Sequence, residues 1–330
     1  MIEKTALVIA DGYTPYRNQA VEEYLMREAE PKSCTMYLWQ NRQTVVIGRN
    51  QNGRAECRVE QLEKDGGYLA RRLSGGGAVF HDLGNLNFSF LAADPDYDVA
   101  RQLRVILAAV RSFGLAAEAS GRNDITIDGR KFSGNAFMSS ARRRCHHGTL
   151  LISADTSRMV KYLNVAQDKL ENKGVRSVRS RVVNLSELES AITVESMTAA
   201  LRSAFCAEYG VACEERPRSE LDGGRLRALT EKFASAAWRL ESEPDFLFTR
   251  KKRFVWGGAE VHLKVEAGRV AEVRLFTDSM DPELSETAEK ALRGAEFSSK
   301  ALCGALAELP CEEARKQMLL DISSILMEAE

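Results

Sequence analysis

The segment Gly121–Ala136, GRNDITIDGRKFSGNA, constrains folding more than any other stretch, because its centre leaves the backbone little choice. Asp128-Gly129 between two alternating segments is the pair a type I′ turn demands, since both central positions need positive φ. A two-residue loop there makes an antiparallel hairpin and fixes its register. Ile127 falls opposite Arg130, Thr126 opposite Lys131, Ile125 opposite Phe132 and Asp124 opposite Ser133. Opposed residues share a face, as do residues two apart along a strand. Asp124, Thr126, Lys131 and Ser133 therefore line one face; Ile125, Ile127 and Phe132 line the other, which faces the core. A lysine beside a carboxylate on a hairpin is ordinarily a surface ion pair worth little. Three neighbours argue for more: Asn123 precedes the aspartate, the small pair Ser133-Gly134 follows as a break, and a glycine loop lies upstream. Together they supply what nucleotide activation of a carboxylate needs: a lysine for developing charge, a carboxylate for Mg²⁺, and amide donors.

That upstream stretch, Leu69–Asn87, reads LARRLSGGGAVFHDLGNLN, with Gly75, Gly76 and Gly77 between a strand-like run and an apolar one. Consecutive glycines cost conformational entropy, and a chain keeps them where the backbone must approach something closely or take positive φ. A phosphate is the usual partner, because exposed N–H groups can cradle its oxygens. The loop is neither a Walker A nor a dinucleotide-binding fingerprint. Alternation puts Arg72 and Ser74 on one face and Arg71 on the other, so one arginine should face the loop's ligand. A tight turn with two solvated arginines is the plain alternative. A third stretch, Arg142–Ile152, reads RRRCHHGTLLI. Adjacent residues on a strand point to opposite faces, so His146 and His147 are poorly placed to share a metal. His147, followed by Gly148, reads as an inward-facing polar group at the edge of a pocket. Cys145 could be a thiol nucleophile, although a small buried hydrophobe is the commoner role for such a residue. Arg142–Arg144 could dock an acidic partner, although a solvated loop is the commoner role for such a run.

Around these motifs the chain alternates short strands and amphipathic stretches. Ala6–Ala10, Thr35–Trp39 and Thr44–Ile47 read as strands. Pro15–Met26 and Val99–Phe113 read as core-covering helices, the first with Thr14 as cap and the second with Gly114 past its end. Cys213–Gly224 and Glu241–Asp245 read as loops or hinges. Beyond them, Arg253–Trp256, Val261–Val265 and Val270–Phe276 form a meander, broken first at Gly257-Gly258, and the pattern is helical from Asp281 onward. A chain of 330 residues suggests two domains, with the boundary near residue 245. Hydrophobic residues at 44% and charged ones at 28% exclude wholesale disorder. A formal net charge of -1 provides no global field for nucleic acid or a membrane. The longest apolar run, Val105–Val110, is far too short to span a bilayer, and the N-terminus has no basic segment of the signal-peptide kind. Seven scattered cysteines without CxxC spacing argue against disulfides and zinc, and we expect a cytoplasmic protein with reduced thiols.

Taken in order, RRLSGGGAVFHDLGN, GRNDITIDGRKFSGNA, CHHGTLLISAD and KGVRSVRSRVVNL resemble the lipoate–protein ligases, and TVVIGRNQN and FVWGG fit as well. The resemblance covers nearly the whole chain. It implies an α+β protein: a mixed β-sheet catalytic domain of the biotin/lipoate protein ligase type over residues 1–243, and a small α+β accessory domain over 250–330. It also implies an ATP-dependent ligase that makes lipoyl-AMP and passes the lipoyl group to a lysine of an acceptor. The acceptors would be lipoyl domains of 2-oxoacid dehydrogenase complexes and the glycine cleavage H protein, and the enzyme a monomer using ATP, Mg²⁺ and lipoate. Residue by residue, Lys131 would contact the α-phosphate and the acyl carboxylate. Arg72, Ser74 and the loop Gly75–Phe80 (Gly76, Gly77, Ala78, Val79 and Phe80 among them) would hold the adenylate and line the acyl tunnel. His81, Ser133 and Gly134 would join them around lipoate. Asn123 and Asp124 would sit at the phosphate and Mg²⁺, and Trp39 and His147 at the far, dithiolane end. Leu170–Leu185 corresponds to a segment that covers or orders the adenylate. Cys145 stands where the family would place an aromatic residue.

Three other readings compete. A cysteine-dependent octanoyl or lipoyl transferase would use Cys145 without ATP. A non-catalytic lipoate- or adenylate-binding regulator would need none of the lysine, aspartate and glycine elements. A biotin ligase fits less well, because its glycine loop is worded differently.

Overall fold

The computed structural model describes residues 2–121, 123–164, 182–240 and 248–327. Their contacts divide them into two compact units. The first comprises residues 1–46, 56–70 and 79–239; the second comprises 47–55, 71–78 and 240–330.

The first unit is built on an eight-stranded mixed sheet. Its strands are β1 (Lys4–Ile9), β2 (Ser33–Trp39), β6 (Asn85–Ala93), β7 (Glu118–Ser120), β8 (Asp124–Ile127), β9 (Arg130–Ser140), β10 (Arg143–Leu151) and β11 (Cys213–Glu215). They lie in the order β11-β1-β2-β6-β10-β9-β8-β7. β1 runs parallel to both β11 and β2, and every later neighbour is antiparallel. A smaller sheet, ordered β4-β3-β5, is formed by β3 (Thr44–Ile47), β4 (Tyr68–Arg71) and β5 (Val79–His81). Its β4 and β3 run into the segments counted with the second unit.

The helix Val99–Arg111 starts where Asp98 Oδ1 accepts the Arg101 amide at 2.9 Å, and Gly114 at φ +82° follows its end. It lays Val105, Ile106, Ala109 and Val110 on the sheet, where they join Met36, Leu38, Phe88, Phe90 and Phe132 in one core. Leu201 and Phe205 of the helix Val194–Tyr209 close the same core. The helix Pro15–Arg27 is different. Thr14 stands at its cap position without a side-chain cap bond, and its buried residues include Asn18, Gln19, Glu22 and Glu23. Asn18, Glu22 and Glu23 meet the Gln40 carbonyl, Ser89 and Lys232, while the Gln19 amide is buried with no partner among the described residues, so this helix does more than cover a core.

Several sequence expectations shift. Cys213–Gly224 is no simple linker: β11 adds an edge to the sheet, and Asp222 caps the helix Gly223–Ala234. A three-residue strand is too short to show alternation. Arg143 and Arg144 lie within β10, bonded to Ala29 O and the Asp94 carboxylate, and the turn falls at Ala141-Arg142 with positive φ. β9 passes through Ser133-Gly134 without interruption. The hinge read at Glu241–Asp245 lies outside the described residues.

In the second unit, β12 (Phe248–Phe254), β13 (Gly257–Glu266) and β14 (Arg269–Thr277) form an antiparallel meander. The helices Leu284–Leu292, Ser299–Ala307 and Glu313–Leu326 cover it, with Leu302, Leu306, Leu319, Ile322 and Ile325 buried against Val261, Leu263 and Val273. The first turn sits at Val255-Trp256 rather than at the two glycines. Gly257 opens β13 at φ +153°, and the Gly258 amide donates to Asp278 Oδ1 at 2.6 Å.

Candidate functional site

The hairpin forms as its Asp-Gly pair requires: Asp128 lies at φ +50° and Gly129 at φ +72°, both in the left-handed region. Ile127 pairs with Arg130 and Thr126 with Lys131, as expected. Beyond that the register slips by one, so Ile125 faces Ser133 and Asp124 faces Gly134. The slip is a β-bulge. It carries Phe132, fully buried, into the core while Lys131 keeps its place opposite Thr126. Lys131 Nζ lies 2.7 Å from Asp124 Oδ1, and both side chains are 38% exposed. The pair is open enough to meet a ligand. Gly134 makes room for it: a Cβ there would come within 3.0 Å of Lys131 Nζ.

The surroundings of this pair are polar and partly unsatisfied. The Thr126 hydroxyl, opposite Lys131, is buried and has no hydrogen-bond partner among the described residues. The Ser133 hydroxyl, also buried and without a partner among them, falls with core-facing Ile125 instead of on the Lys131 face expected from simple alternation, because of the bulge. Such atoms are costly to leave unpaired, and the Thr126 hydroxyl marks a place beside the pair where a ligand's polar atom would be welcome. The backbone of Lys131 is held on its far side by Val182 and Val183, whose amide donates to Lys131 O at 3.0 Å. These two valines belong to the RSRVVNL motif; the rest of Leu170–Leu185 up to residue 181 lies outside the described residues. Asn123, just before Asp124, is fixed through its carbonyl oxygen. That oxygen accepts from the Asn135 backbone amide at 2.7 Å and from Asn135 Nδ2 at 3.0 Å.

A second polar group gathers deeper in the same unit. Trp39 Nε1 donates to Ser89 Oγ at 3.1 Å, Ser89 Oγ donates to Glu22 Oε1 at 2.5 Å, and His147 Nδ1 lies 2.8 Å from the same oxygen. Glu22 is almost fully buried, and burial alone would raise its pKa. The charge and hydrogen bond of His147, with help from Ser89 and Cys145, hold it below the usual carboxylate value instead. Trp39 also meets the His81 ring edge-on at 6.2 Å and stacks on Tyr37 at 6.0 Å. His81 Nδ1 lies 3.3 Å from Asn41 Nδ2. Trp39, His81 and His147 are therefore brought together, whereas the sequence showed no sign of Glu22 or Ser89. The signal was available only as polar spacing on the helix Pro15–Arg27.

Cys145 lies beside this group, with its sulfur, the His147 nitrogen and a Glu22 oxygen all within 4.8 Å of one another. Burial and the neighbouring Glu22 push its thiol well above the usual value. Raising the thiol's pKa disfavours the thiolate, which argues against a nucleophilic role.

The glycine loop belongs to the second unit. Arg71 is buried and donates to the carbonyls of Arg49 and Gln51 at 2.8 and 2.6 Å, a structural tie. Arg72 bonds Ser74 Oγ at 3.0 Å and reaches the carbonyls of Gly75 and Gly77 at 2.7 and 2.9 Å, so its guanidinium shapes the loop itself. Gly76 takes φ +93°, and its amide donates to Ser279 O at 2.8 Å. A Cβ at Gly75 would lie 2.2 Å from that same oxygen, so only glycine fits. The close backbone approach expected of the loop is thus made, in part, to its own chain.

Residues 14–206 match the family described as the lipoyl protein ligase A/B catalytic domain, and residues 243–325 match the bacterial lipoate protein ligase C-terminus. Among solved structures, P. falciparum LipL1 in complex with lipoate is similar at 25% identity, covering 98% of this chain and 99% of that one, with a TM-score of 0.86. A bi-partite lipoate protein ligase from Thermoplasma acidophilum, studied with its E2 lipoyl domain, is similar at 25% identity, covering 74% and 99%, with a TM-score of 0.66. A lipoate-protein ligase A bound with ATP shares the fold at 23% identity, covering 72% and 98%, with a TM-score of 0.63. No helix among the described residues is long and apolar enough to cross a membrane. With a mixed sheet, a paired lysine and aspartate on its hairpin, and a family match over more than half its length, the chain belongs to the lipoyl protein ligase A/B catalytic-domain family.

Proposed function

We propose that the protein is an ATP-dependent lipoate–protein ligase that forms lipoyl-AMP and then an amide with a lysine of an acceptor lipoyl domain. The observation that carries this reading is the half-exposed Lys131–Asp124 pair at 2.7 Å, opposite Thr126, whose buried hydroxyl has no partner among the described residues. Relatives that hold lipoate, or share the fold and hold ATP, support it. A carboxylate is a poor electrophile, so the lipoate oxygen attacks the ATP α-phosphorus and pyrophosphate leaves. Lys131 supplies a mobile positive charge for the oxygens on which negative charge builds, and can follow that charge from phosphate to acyl carbonyl. Arg72 and the loop from Gly76 to Phe80 hold the adenylate, and Asn123 lies at the phosphate. Ser74, His81, Ser133 and Gly134 contact lipoate, and Trp39 and His147 close the far end of its pocket. The apolar chain suits a tunnel with polarity kept to its ends. The acceptor amine then attacks the acyl carbon and AMP departs.

Asp124 fits Mg²⁺ as a single carboxylate ligand, because Mg²⁺ commonly takes one or two carboxylates and completes its shell with phosphate and water. The ion would neutralise phosphate charge. Asp124 meanwhile holds Lys131 in place. We assign residues 1–243 as the catalytic domain and 250–330 as an accessory domain needed for activity. The acceptors are lipoyl domains of 2-oxoacid dehydrogenase complexes and the glycine cleavage H protein, and the enzyme acts as a cytoplasmic monomer.

The test combines lipoate-dependent pyrophosphate release with the mass of an acceptor domain incubated with enzyme, ATP, Mg²⁺ and lipoate. We expect a lipoyl mass increment on one lysine, and a loss of release by about 100-fold or more in Lys131→Ala. Full activity in that variant, or transfer without ATP that is abolished in Cys145→Ser, would overturn the reading.

A further inference from the structure

His146, the histidine that the mechanism does not use, is completely buried on β10. Phe137, Phe88 and Phe90 surround it, with ring centroids at 4.8, 5.5 and 5.8 Å. Its Nδ1 lies 3.0 Å from Gln102 Oε1 and its Nε2 lies 2.8 Å from Asn135 Oδ1. The direction of these bonds can be worked out from their far ends. Asn135 Nδ2 donates to Asn123 O at 3.0 Å, so the Asn135 oxygen must be the atom facing His146. His146 therefore carries its proton on Nε2. Burial, with the neighbouring His147 charge, lowers its pKa to about 3, so Nδ1 is bare and needs a donor. The atom placed against it is the Gln102 oxygen, while Gln102 Nε2 is buried with no acceptor among the described residues; exchanging the two ends of that amide supplies the donor.

With the Gln102 amide turned, the bonds form a one-way chain: Gln102 N–H to His146 Nδ1, His146 Nε2–H to Asn135 Oδ1, and Asn135 Nδ2–H to Asn123 O. Aligned bonds in a dry interior strengthen one another. The chain ends on the residue next to Asp124, whose carboxylate holds Lys131. We propose that His146 is a positioning residue for the Lys131–Asp124 pair, acting through the Asn135 amide that clamps the Asn123 carbonyl. The inference rests on the ligase reading only for its activity readout.

The test compares His146→Gln, which keeps a donor near the Nε2 position, with His146→Leu, which removes it. Asn135→Asp keeps the shape of Asn135 but loses the donor to Asn123. In each folded variant we measure kcat and KM for lipoate in pyrophosphate release, and hydrogen exchange of the Asn135 amide. We expect His146→Leu and Asn135→Asp each to lower kcat by about 10- to 100-fold with KM within about threefold, and to lose protection at Asn135. His146→Gln should recover most of both, and the Leu and Asp changes combined should cost no more than either alone. Equal losses in the Gln and Leu variants would reduce the effect to packing and overturn the proposal. Multiplying losses in the double variant, or unchanged exchange at Asn135, would also overturn it. If wild type releases no pyrophosphate, the ligase reading fails, while the exchange data still decide the role of His146. If His146→Leu does not fold, Asn135→Asp carries the same comparison.

Discussion

Lys131 shows how much a single position depends on its neighbours. Its partner Asp124 was legible, because an Asp-Gly turn fixes register near itself and alternation does the rest. Asn135, Gln102, Glu22 and Ser89 were not, because each meets its partner across a gap in sequence that no local pattern bridges. His146 and His147 make the contrast plain. Alternation correctly sent them to different partners, Gln102 and Glu22, but could not name either. His146 also carries a consequence for stability. Its pKa falls from an ordinary 6.5 to about 3 in the folded protein. Between those values the unfolded chain binds more protons than the native one, so stability rises with pH across the window. The contribution is complete above pH 6.5 and is lost as pH falls toward 3. Urea unfolding between pH 7 and 5 should show wild type weakening by up to about 1.4 kcal/mol per pH unit more than His146→Gln. Parallel curves would show that the buried ring is not kept neutral.

At the scale of elements, periodicity located most strands and helices to within a few residues, and the Asp-Gly hairpin formed where expected. It did not reveal the bulge at Phe132, because a single extra residue leaves both flanking alternations intact. Nor did it reveal that Ser133-Gly134 lies within a strand. Gly134 is there because β9 passes under the Lys131 ammonium group, not because the strand stops. Adding a methyl group would press on the end of a flexible side chain, which can move aside cheaply. Gly134→Ala should therefore leave the free energy of unfolding within about 1 kcal/mol of wild type. The same change should lower lipoate-dependent pyrophosphate release by about tenfold, since the charge is displaced from its working position. A large fall in stability with unchanged activity per folded molecule would contradict this. Gly129 is the opposite case, because its φ of +72° is what matters and no neighbouring atom lies within 4 Å of a Cβ there.

For the whole molecule, two units were expected, but not that residues 47–55 and 71–78 would cluster with 240–330. Those segments are separated from their partners by about two hundred residues, and nothing local announces the pairing. Asn50 O accepts from Thr277 N at 2.8 Å and Asn50 Nδ2 donates to Pro282 O at 3.1 Å, alongside the bond from Gly76 to Ser279. A chain ending at Arg239 loses every one of these ties. We expect it to release pyrophosphate at least about tenfold more slowly than the full chain and to become protease-sensitive between residues 71 and 78. Activation at the full rate would separate the accessory region from this step. The amide of Gly76 carries one last implication. On the proposed reading, a phosphate that took that hydrogen would have to displace the carbonyl of Ser279, which would then compete with the nucleotide. Trading one bond for another would weaken capture by roughly two- to tenfold relative to a vacant cradle, and would tie nucleotide entry to release of the loop.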